Sequence, residues 1–381
     1  MLDAVLLHSF GGPNGPDDVL PFLRNVTAGI DIPDSRLAEV GEHYFAFGGK
    51  SPINEHNETL RAALERELAA RGRPIPVVVG NRNWEPYTAY ALRQLEALGA
   101  RQVAVLVTSA YCAYSGCWQY REDLAGATAA HVAAGGTPFE FHQMRAFCNT
   151  PGFVAANVDA VVDAAEALGE GAQPWLVFVT HSIPAAMEAA SGVTHASYRE
   201  QHLDVAAEVA RLVSARCGRP LDWDLVYCSR SGSPHQPWLE PDVNEYLETL
   251  AATGVTDVVL APIGFISDHM EVVYDLDTQG LDTAKRLGLN AVRAATAGVH
   301  PAFVASLADL VLNPHDDVGR AASRAGSYSR ETKEVVDERS EEHDVTVVGT
   351  LPALPSGCSE HCCQRRLPDT DNAMTSLASS A

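Results

Sequence analysis

The chain has 381 residues, 46% of them hydrophobic and 20% charged, enough length and apolar surface for two domains of ordinary size. Its 27 basic and 49 acidic residues leave a net charge of −22, which repels nucleic acid and anionic lipid surfaces and argues against both as partners. No apolar run approaches the roughly 20 residues that cross a bilayer, and Met1 leads almost at once into the apolar segment 4–7 rather than into a secretory signal. A cytoplasmic protein is expected, and in that compartment its eight cysteines point to metal or redox roles before disulfides.

In chain order, short β-branched runs over 4–7, 77–79, 103–107, 175–180, 225–229, 258–263 and 290–292 read as strands. Stretches of helical period lie among them, at 57–71, 90–98, 153–168 and 197–216. This alternation predicts α/β architecture with parallel sheets covered on both faces. Two such sets meet near residues 169–173, so the expected units are 1–170, 171–313 and a charged, Cys-bearing tail over 314–381. Within that tail an exposed helix is expected over 330–339, and disorder over 367–381.

Open α/β sheets place their sites beyond the carboxyl ends of the strands. That rule selects four junctions: Ser9 to Pro13, Ser109 to Tyr120, Thr180 to Pro184, and Ile263 to Glu271. In Thr180-His181-Ser182-Ile183-Pro184 a buried strand ends on a histidine whose neutral imidazole suits a base or a metal ligand. A histidine satisfied by a local backbone bond is the alternative. In Asp268-His269-Met270-Glu271, continued to Asp275, hard oxygen donors and one imidazole gather at a helix start, a set suited to a labile divalent ion. A capping box of Asp268 with Glu271 is the competing reading. No dinucleotide or P-loop pattern is present.

Cys358, Cys362 and Cys363 lie too close together to be independent structural thiols. Three thiolates call for a fourth ligand, and Cys148 is the expected one. Four thiolates suit an iron–sulfur cluster or zinc.

Taken in order, Phe10-Gly11-Gly12-Pro13, Pro21-Phe22-Leu23-Arg24-Asn25, Gly48-Gly49-Lys50-Ser51-Pro52, Arg82 to Pro86, His181-Ser182-Ile183-Pro184, Ser229-Arg230 with Pro237-Trp238-Leu239-Glu240-Pro241, and Pro262 to Asp277 resemble the ferrochelatase family. Within it, the chain looks like the iron–sulfur-containing, actinobacterial-type bacterial coproporphyrin ferrochelatases. The resemblance implies two Rossmann-like domains around a porphyrin cleft, with ferrous iron inserted into coproporphyrin III. It assigns the metal-facing and proton-accepting position to His181 with Glu271 opposite, and an ion or proton track to Asp268, His269 and Asp275. Phe10, His43, Tyr44, Ser51 and Tyr120 would line the porphyrin, and Cys148, Cys358, Cys362 and Cys363 would hold a [2Fe–2S] cluster.

Two departures stand out. Phe10 replaces a tyrosine that ligates product iron in some relatives, and Ala28 and Ile30 replace basic residues at the rim. The rival readings are protoporphyrin IX as substrate, cobalt or nickel insertion into a tetrapyrrole, and a non-catalytic haem or iron–sulfur binding module. An iron donor and the next enzyme of haem synthesis are candidate partners.

Overall fold

A computed structural model describes residues 1–29, 32–192, 195–230, 236–313, 346–356 and 362–363. The expected helix at 330–339, the tail beyond 363, Ile30 and Cys358 lie outside them. The first half of the chain runs β1 (Ala4–Ser9), α1 (Val19–Val26), α2 (Asp34–Phe45), α3 (Ile53–Ala70), β2 (Val77–Asn81), α4 (Thr88–Ala97), β3 (Gln102–Val107), α5 (Gln119–Ala133), β4 (Glu140–Gln143) and α6 (Pro151–Ala167). The second half runs β5 (Trp175–His181), α7 (Ala185–Ala190), α8 (Tyr198–Cys217), β6 (Trp223–Cys228), α9 (Val243–Ala252), β7 (Asp257–Ala261), α10 (Met270–Val272), α11 (Leu281–Leu287), β8 (Asn290–Arg293) and α12 (Pro301–Leu312). A π-helical stretch, Val273–Gly280, joins α10 to α11.

Each half builds a four-stranded parallel sheet, in the orders β2-β1-β3-β4 and β6-β5-β7-β8. The two orders are the same topology used twice. The central strands read as unbroken apolar runs because helices cover both their faces, so no polar alternation survives. The expected strands are all present. The one not foreseen is β4, whose Glu-Phe-His-Gln lies half exposed at a sheet edge and has no apolar run to betray it.

One core cluster spans both halves, from Val5, Leu64 and Leu106 to Phe178, Val209 and Phe303. Helix α12 packs against α6 and α3, and Arg71 of α3 donates to Asp309 of α12 at 2.5 Å. The loops at the carboxyl ends of the sheets also meet. The Tyr111 hydroxyl beyond β3 donates to the Ile263 carbonyl beyond β7 at 3.1 Å, and the Cys112 amide donates to Gln201 Oε1 of α8 at 2.8 Å. This contact brings the strand-end chemistry of both sheets into one place. Among the described residues, no helix is long and apolar enough to cross a membrane.

Candidate functional site at the carboxyl ends of the two sheets

His181 is the last residue of β5, paired in register with Cys228 of β6. Its Nδ1 lies 2.5 Å from the Ser182 carbonyl, so Nδ1 carries a hydrogen and Nε2 faces outward. The local backbone bond that the sequence offered as an alternative to function therefore orients the ring for it. Tyr198 of α8 donates its hydroxyl to the His181 carbonyl at 3.1 Å and lies 2.8 Å from Thr180 Oγ1, which fixes the strand end from below.

Glu271, on α10, faces this ring, with Oε1 3.4 Å from Nε2. The capping box does not form. His269 caps α10 instead, its Nδ1 accepting the Glu271 amide at 3.2 Å. Burial penalises the charge on His181, but Glu271, the Ser182 carbonyl and Asp275 outweigh it and push the imidazole up. Burial likewise opposes charge on Glu271, and the imidazoles of His181 and His269 overcome it and hold the carboxyl down. The resting pair is an imidazolium–carboxylate ion pair.

Asp275 lies on the π-helical stretch, where the widened turn is a common device for re-aiming side chains at functional sites. Burial raises it to about 6, helped by the negative charge of Glu271 and opposed by the hydrogen bond from Ser229. It is poised to change protonation near neutral pH.

The three residues of the expected track divide. Asp275 and His269 face the ion pair electrostatically. Asp268 does not serve as an open ligand, because both its oxygens are taken. Oδ1 accepts from Arg293 Nη1 at 3.2 Å and Thr296 Oγ1 at 3.1 Å, and Oδ2 accepts from Arg293 Nη2 at 3.1 Å. Arg293 also donates to both oxygens of Asp277 at 2.7 and 2.8 Å, so it clasps the segment on either side of Glu271 and Asp275. A cavity of about 250 Å³ beside it is lined by His56, Asn57, Ser267, Asp268, Thr296 and Gly298.

The expected porphyrin-lining residues fall into two groups. His43 and Tyr44 of α2 reach across to the second sheet. The His43 ring stacks on Tyr274 with centroids 3.7 Å apart, and Tyr44 is raised strongly by burial and by the negative charges of Glu271 and Asp275. Phe10, Ser51 and Tyr120 stay with the first sheet. Phe10 packs edge-on to Phe22, Ser51 lies buried against Gly12, and Tyr120 is buried edge-on to His8. Gly12 has no room for a side chain, since an added Cβ would stand 2.7 Å from Ser51 Cβ. Arg82 sits between these aromatic rings, 4.8 Å from the Tyr120 centroid and 5.9 Å from that of Phe10. Its Nε and Nη1 are buried with no hydrogen-bond partner among the described residues.

The tail returns to the body. Its Thr350 amide and hydroxyl donate to Asp204 Oδ1 at 2.8 and 2.6 Å, and Asn149 donates to the Leu351 and Pro352 carbonyls at 3.3 and 2.9 Å. Cys362 and Cys363 end up buried beside Tyr114, with their sulfurs 3.6 Å apart. Cys148 does not join them. It is buried in the main core beside Tyr111, where burial pushes its thiol up to about 12. The interior thiol that Cys363 feels is Cys117, on the π-helical stretch Tyr114–Trp118. The sequence reading takes Cys117 for a core or pocket-wall residue and Cys148 for the ligand, and spacing alone does not separate the two. His195 was also missed; its Nε2 lies 3.5 Å from Cys362 Sγ.

A doubly built parallel α/β protein with an imidazole–carboxylate pair where its sheet ends converge belongs among the chemistries that bind a metal and move protons together. The chain belongs to the ferrochelatase family, enzymes that insert ferrous iron into a porphyrin; the family model described as Ferrochelatase matches residues 2–315. A Streptomyces griseus protein named coproporphyrin III ferrochelatase is 49% identical over 92% of this chain and 93% of that one. Its Streptomyces coelicolor namesake is 48% identical over 96% and 94%, and that of Leifsonia xyli is 45% identical over 82% and 84%. Among solved structures, SirB from Bacillus subtilis with Fe3+ overlays with a TM-score of 0.46 at 13% identity, over 82% of this chain and 96% of that chain.

Proposed function

We propose that this ferrochelatase takes coproporphyrin III as substrate and yields its iron complex, coproheme, with His181 and Glu271 as the metal-facing and proton-handling pair. The observation that carries the site is the 3.4 Å contact of His181 Nε2 with Glu271 Oε1 at the meeting of the sheet ends. Metallation sets free the two pyrrole protons of the macrocycle as Fe²⁺ enters. His181 can accept a proton only after giving up the one its ion pair holds. Glu271 and Asp275 stand beside it to pass that proton outward, Asp275 with a carboxyl near 6 suited to both directions at neutral pH. Fe²⁺ approaching the pair favours the same neutral imidazole, because a metal ligand must be deprotonated.

Support for four propionates over two comes from the names of the relatives and from Arg82. Its guanidinium hydrogen-bonds Tyr120, and its Nε and Nη1, buried without a partner among the described residues, are cationic donors suited to a carboxylate. Ser51 and Tyr120 are themselves buried, so their hydroxyls would meet substrate at the floor of a cleft and not at its rim. Steady-state insertion of Fe²⁺ into coproporphyrin III and protoporphyrin IX under anaerobic conditions tests the assignment. Much faster turnover of coproporphyrin III is expected, with Arg82→Met raising its KM far more than that of protoporphyrin IX. Equal or better turnover of protoporphyrin IX would sink the substrate reading and leave the chelatase standing.

The tail supports a resident metal centre, and a [2Fe–2S] cluster is the reading we favour. Buried Cys362 and Cys363, with the half-buried Cys117 nearby, would supply three thiolates beside Tyr114, Trp118 and Met187, a donor set that fits the group. When bound, such a cluster supplies a one-electron redox couple at the end of the tail.

A further inference from the structure

We propose that His202, buried on α8 beyond reach of any substrate, is a positioning residue for His181 and the Glu271 it faces, acting through the hydroxyls of Thr180 and Tyr198. The role rests on His181 and Glu271 being the reacting pair.

The need for it arises from the sheet. In a parallel ladder the backbone groups of alternate residues turn to the same neighbouring strand. β5 pairs with β7 only as far as Phe178 opposite Ala261, beyond which the chain turns at Pro262 and the Ile263 amide donates back to the Ala261 carbonyl at 2.8 Å. The next two carbonyls on that side of β5, those of Val179 and His181, need other donors, because a buried carbonyl is costly to leave unpaired. Val179 takes the Gly264 amide at 3.1 Å, and His181 takes the Tyr198 hydroxyl at 3.1 Å. One phenol on α8 does for the backbone of His181 what a neighbouring strand does elsewhere.

His202 aims that phenol. Burial lowers its imidazole to about 3, so the ring is neutral at any working pH. Its Nδ1 lies 2.7 Å from the Tyr198 carbonyl, which can only accept, so Nδ1 carries the hydrogen. Nε2, 2.9 Å from Thr180 Oγ1, must then be an acceptor, and the Thr180 proton is committed to it. Thr180 Oγ1, 2.8 Å from the Tyr198 oxygen, is left to accept in turn, and the phenol proton serves Thr180 and the His181 carbonyl beside it. Each proton of the network has one direction, and His202 sets it. Gly264 closes over the Thr180 hydroxyl, where an added Cβ would collide with Oγ1.

The same ring reaches Glu271. Tyr111 of the first half lies flat on His202, with centroids 3.5 Å apart and planes 14° from parallel, and its hydroxyl donates to the Ile263 carbonyl at 3.1 Å. Ile263 opens the segment that leads to Glu271. His202 is therefore the common footing of the strand end that carries His181 and of the loop that carries Glu271, and the 3.4 Å between the pair depends on both. A ring kept for packing alone would tolerate any filler of its shape, whereas the network needs an acceptor where Nε2 stands.

The test compares His202→Gln, His202→Asn and His202→Leu in anaerobic steady-state insertion of Fe²⁺ into coproporphyrin III, with rates normalised to the folded fraction of each protein. Thr180→Val and His181→Ala are assayed alongside. The glutamine carbonyl can stand where Nε2 stands, whereas the shorter asparagine amide reaches only the place of Nδ1. His202→Leu and His202→Asn should lower kcat by about 10- to 100-fold, the scale of an ångström's misplacement of a reacting group, and leave the porphyrin KM within about twofold. His202→Gln should restore most of the native kcat. Thr180→Val should match His202→Leu, and combining the two should cost nothing further, because they act in one chain. Where His202→Leu does not fold, the glutamine and asparagine variants and Thr180→Val decide. In ¹⁵N-histidine NMR, with His202→Gln identifying the resonance, the ring should stay neutral in its Nδ1–H form throughout the pH range of activity. Equal rates in His202→Gln and His202→Asn, a KM that changes as much as kcat, or a ring that titrates in that range overturns the proposal. Near-native turnover in His181→Ala removes instead the reacting pair on which it rests.

Discussion

Replacing Glu271 by Gln removes the charge that makes His181 an imidazolium while keeping the size of the side chain. The native imidazole is pushed up to about 9, against an ordinary 6.5, a difference of 9 − 6.5 = 2.5 pH units. Burial acts in the opposite direction, and Glu271 is the chief influence overcoming it, ahead of the Ser182 carbonyl and Asp275. Without that carboxylate the ring should fall from about 9 back toward 6.5. The Glu271 side chain is 43% exposed, so water screens part of the attraction, and the expected fall is about one to two pH units. Titration of ¹⁵N-histidine-labelled protein by NMR, with His181→Gln identifying the resonance, reads this directly. In kinetics, the acid limb of the pH–rate profile should move to lower pH by the same amount. Turnover at its optimum should still drop by at least the ~10²-fold typical of a lost acid–base group, because the proton outlet has gone. A native His181 titrating near 6.5, or a position unmoved in Glu271→Gln, would refute the ion-pair account.

The same pair sets a pH window for stability. His181, raised above its unfolded 6.5, contributes stability that is complete below 6.5 and lost as pH climbs through about 9, while Glu271, lowered from 4.5 to about 2, contributes above 4.5 and loses it as pH falls through about 2. The Tm difference between native protein and Glu271→Gln should therefore be greatest between pH 4.5 and 6.5 and shrink above pH 9; a difference that grows into alkali contradicts it. Asp275 acts oppositely, since raising it to about 6 costs stability that accrues as pH rises from 3.8; Asp275→Asn should gain stability at pH 8 relative to pH 4 in calorimetry. Arg293→Met strands Asp268 and Asp277 together and should cost about 2–3 kcal/mol in urea unfolding, the low end for a half-buried pair. Turnover should fall with the porphyrin KM unchanged, and normal kcat would show that the clasp does not position Glu271. Asp204→Ala removes the acceptor of three tail hydrogen bonds and should cost about 1–2 kcal/mol, with faster limited proteolysis over 346–356; unchanged cleavage would show that the tail is held elsewhere.

The strand runs, the parallel α/β class and the strand-end positions of His181 and Glu271 were legible in the sequence by itself. Each rests on local pattern: an apolar run covered on both faces, a helix start after a strand, a reactive residue at the junction. Those signals lie within a few residues of one another, so chain order preserves them. The partners of those residues were a matter for tertiary structure. Asp268 and Glu271 spaced for a capping box give equal warrant to capping and to chemistry. Only Arg293, 25 residues away on another strand, commits Asp268 to an ion pair and leaves the cap to His269. Cys148 and Cys117 are both interior cysteines following strand-like segments. The difference between a thiol buried among aromatics and one facing the tail appears only when residues 362 and 363 return across the fold. A long-range contact leaves no periodicity in either segment, because each segment is shaped by its own backbone. The neighbourhood of the tail is for that reason a property of the folded chain, made where His195 Nε2 and Cys362 Sγ, 167 residues apart, come within 3.5 Å of one another.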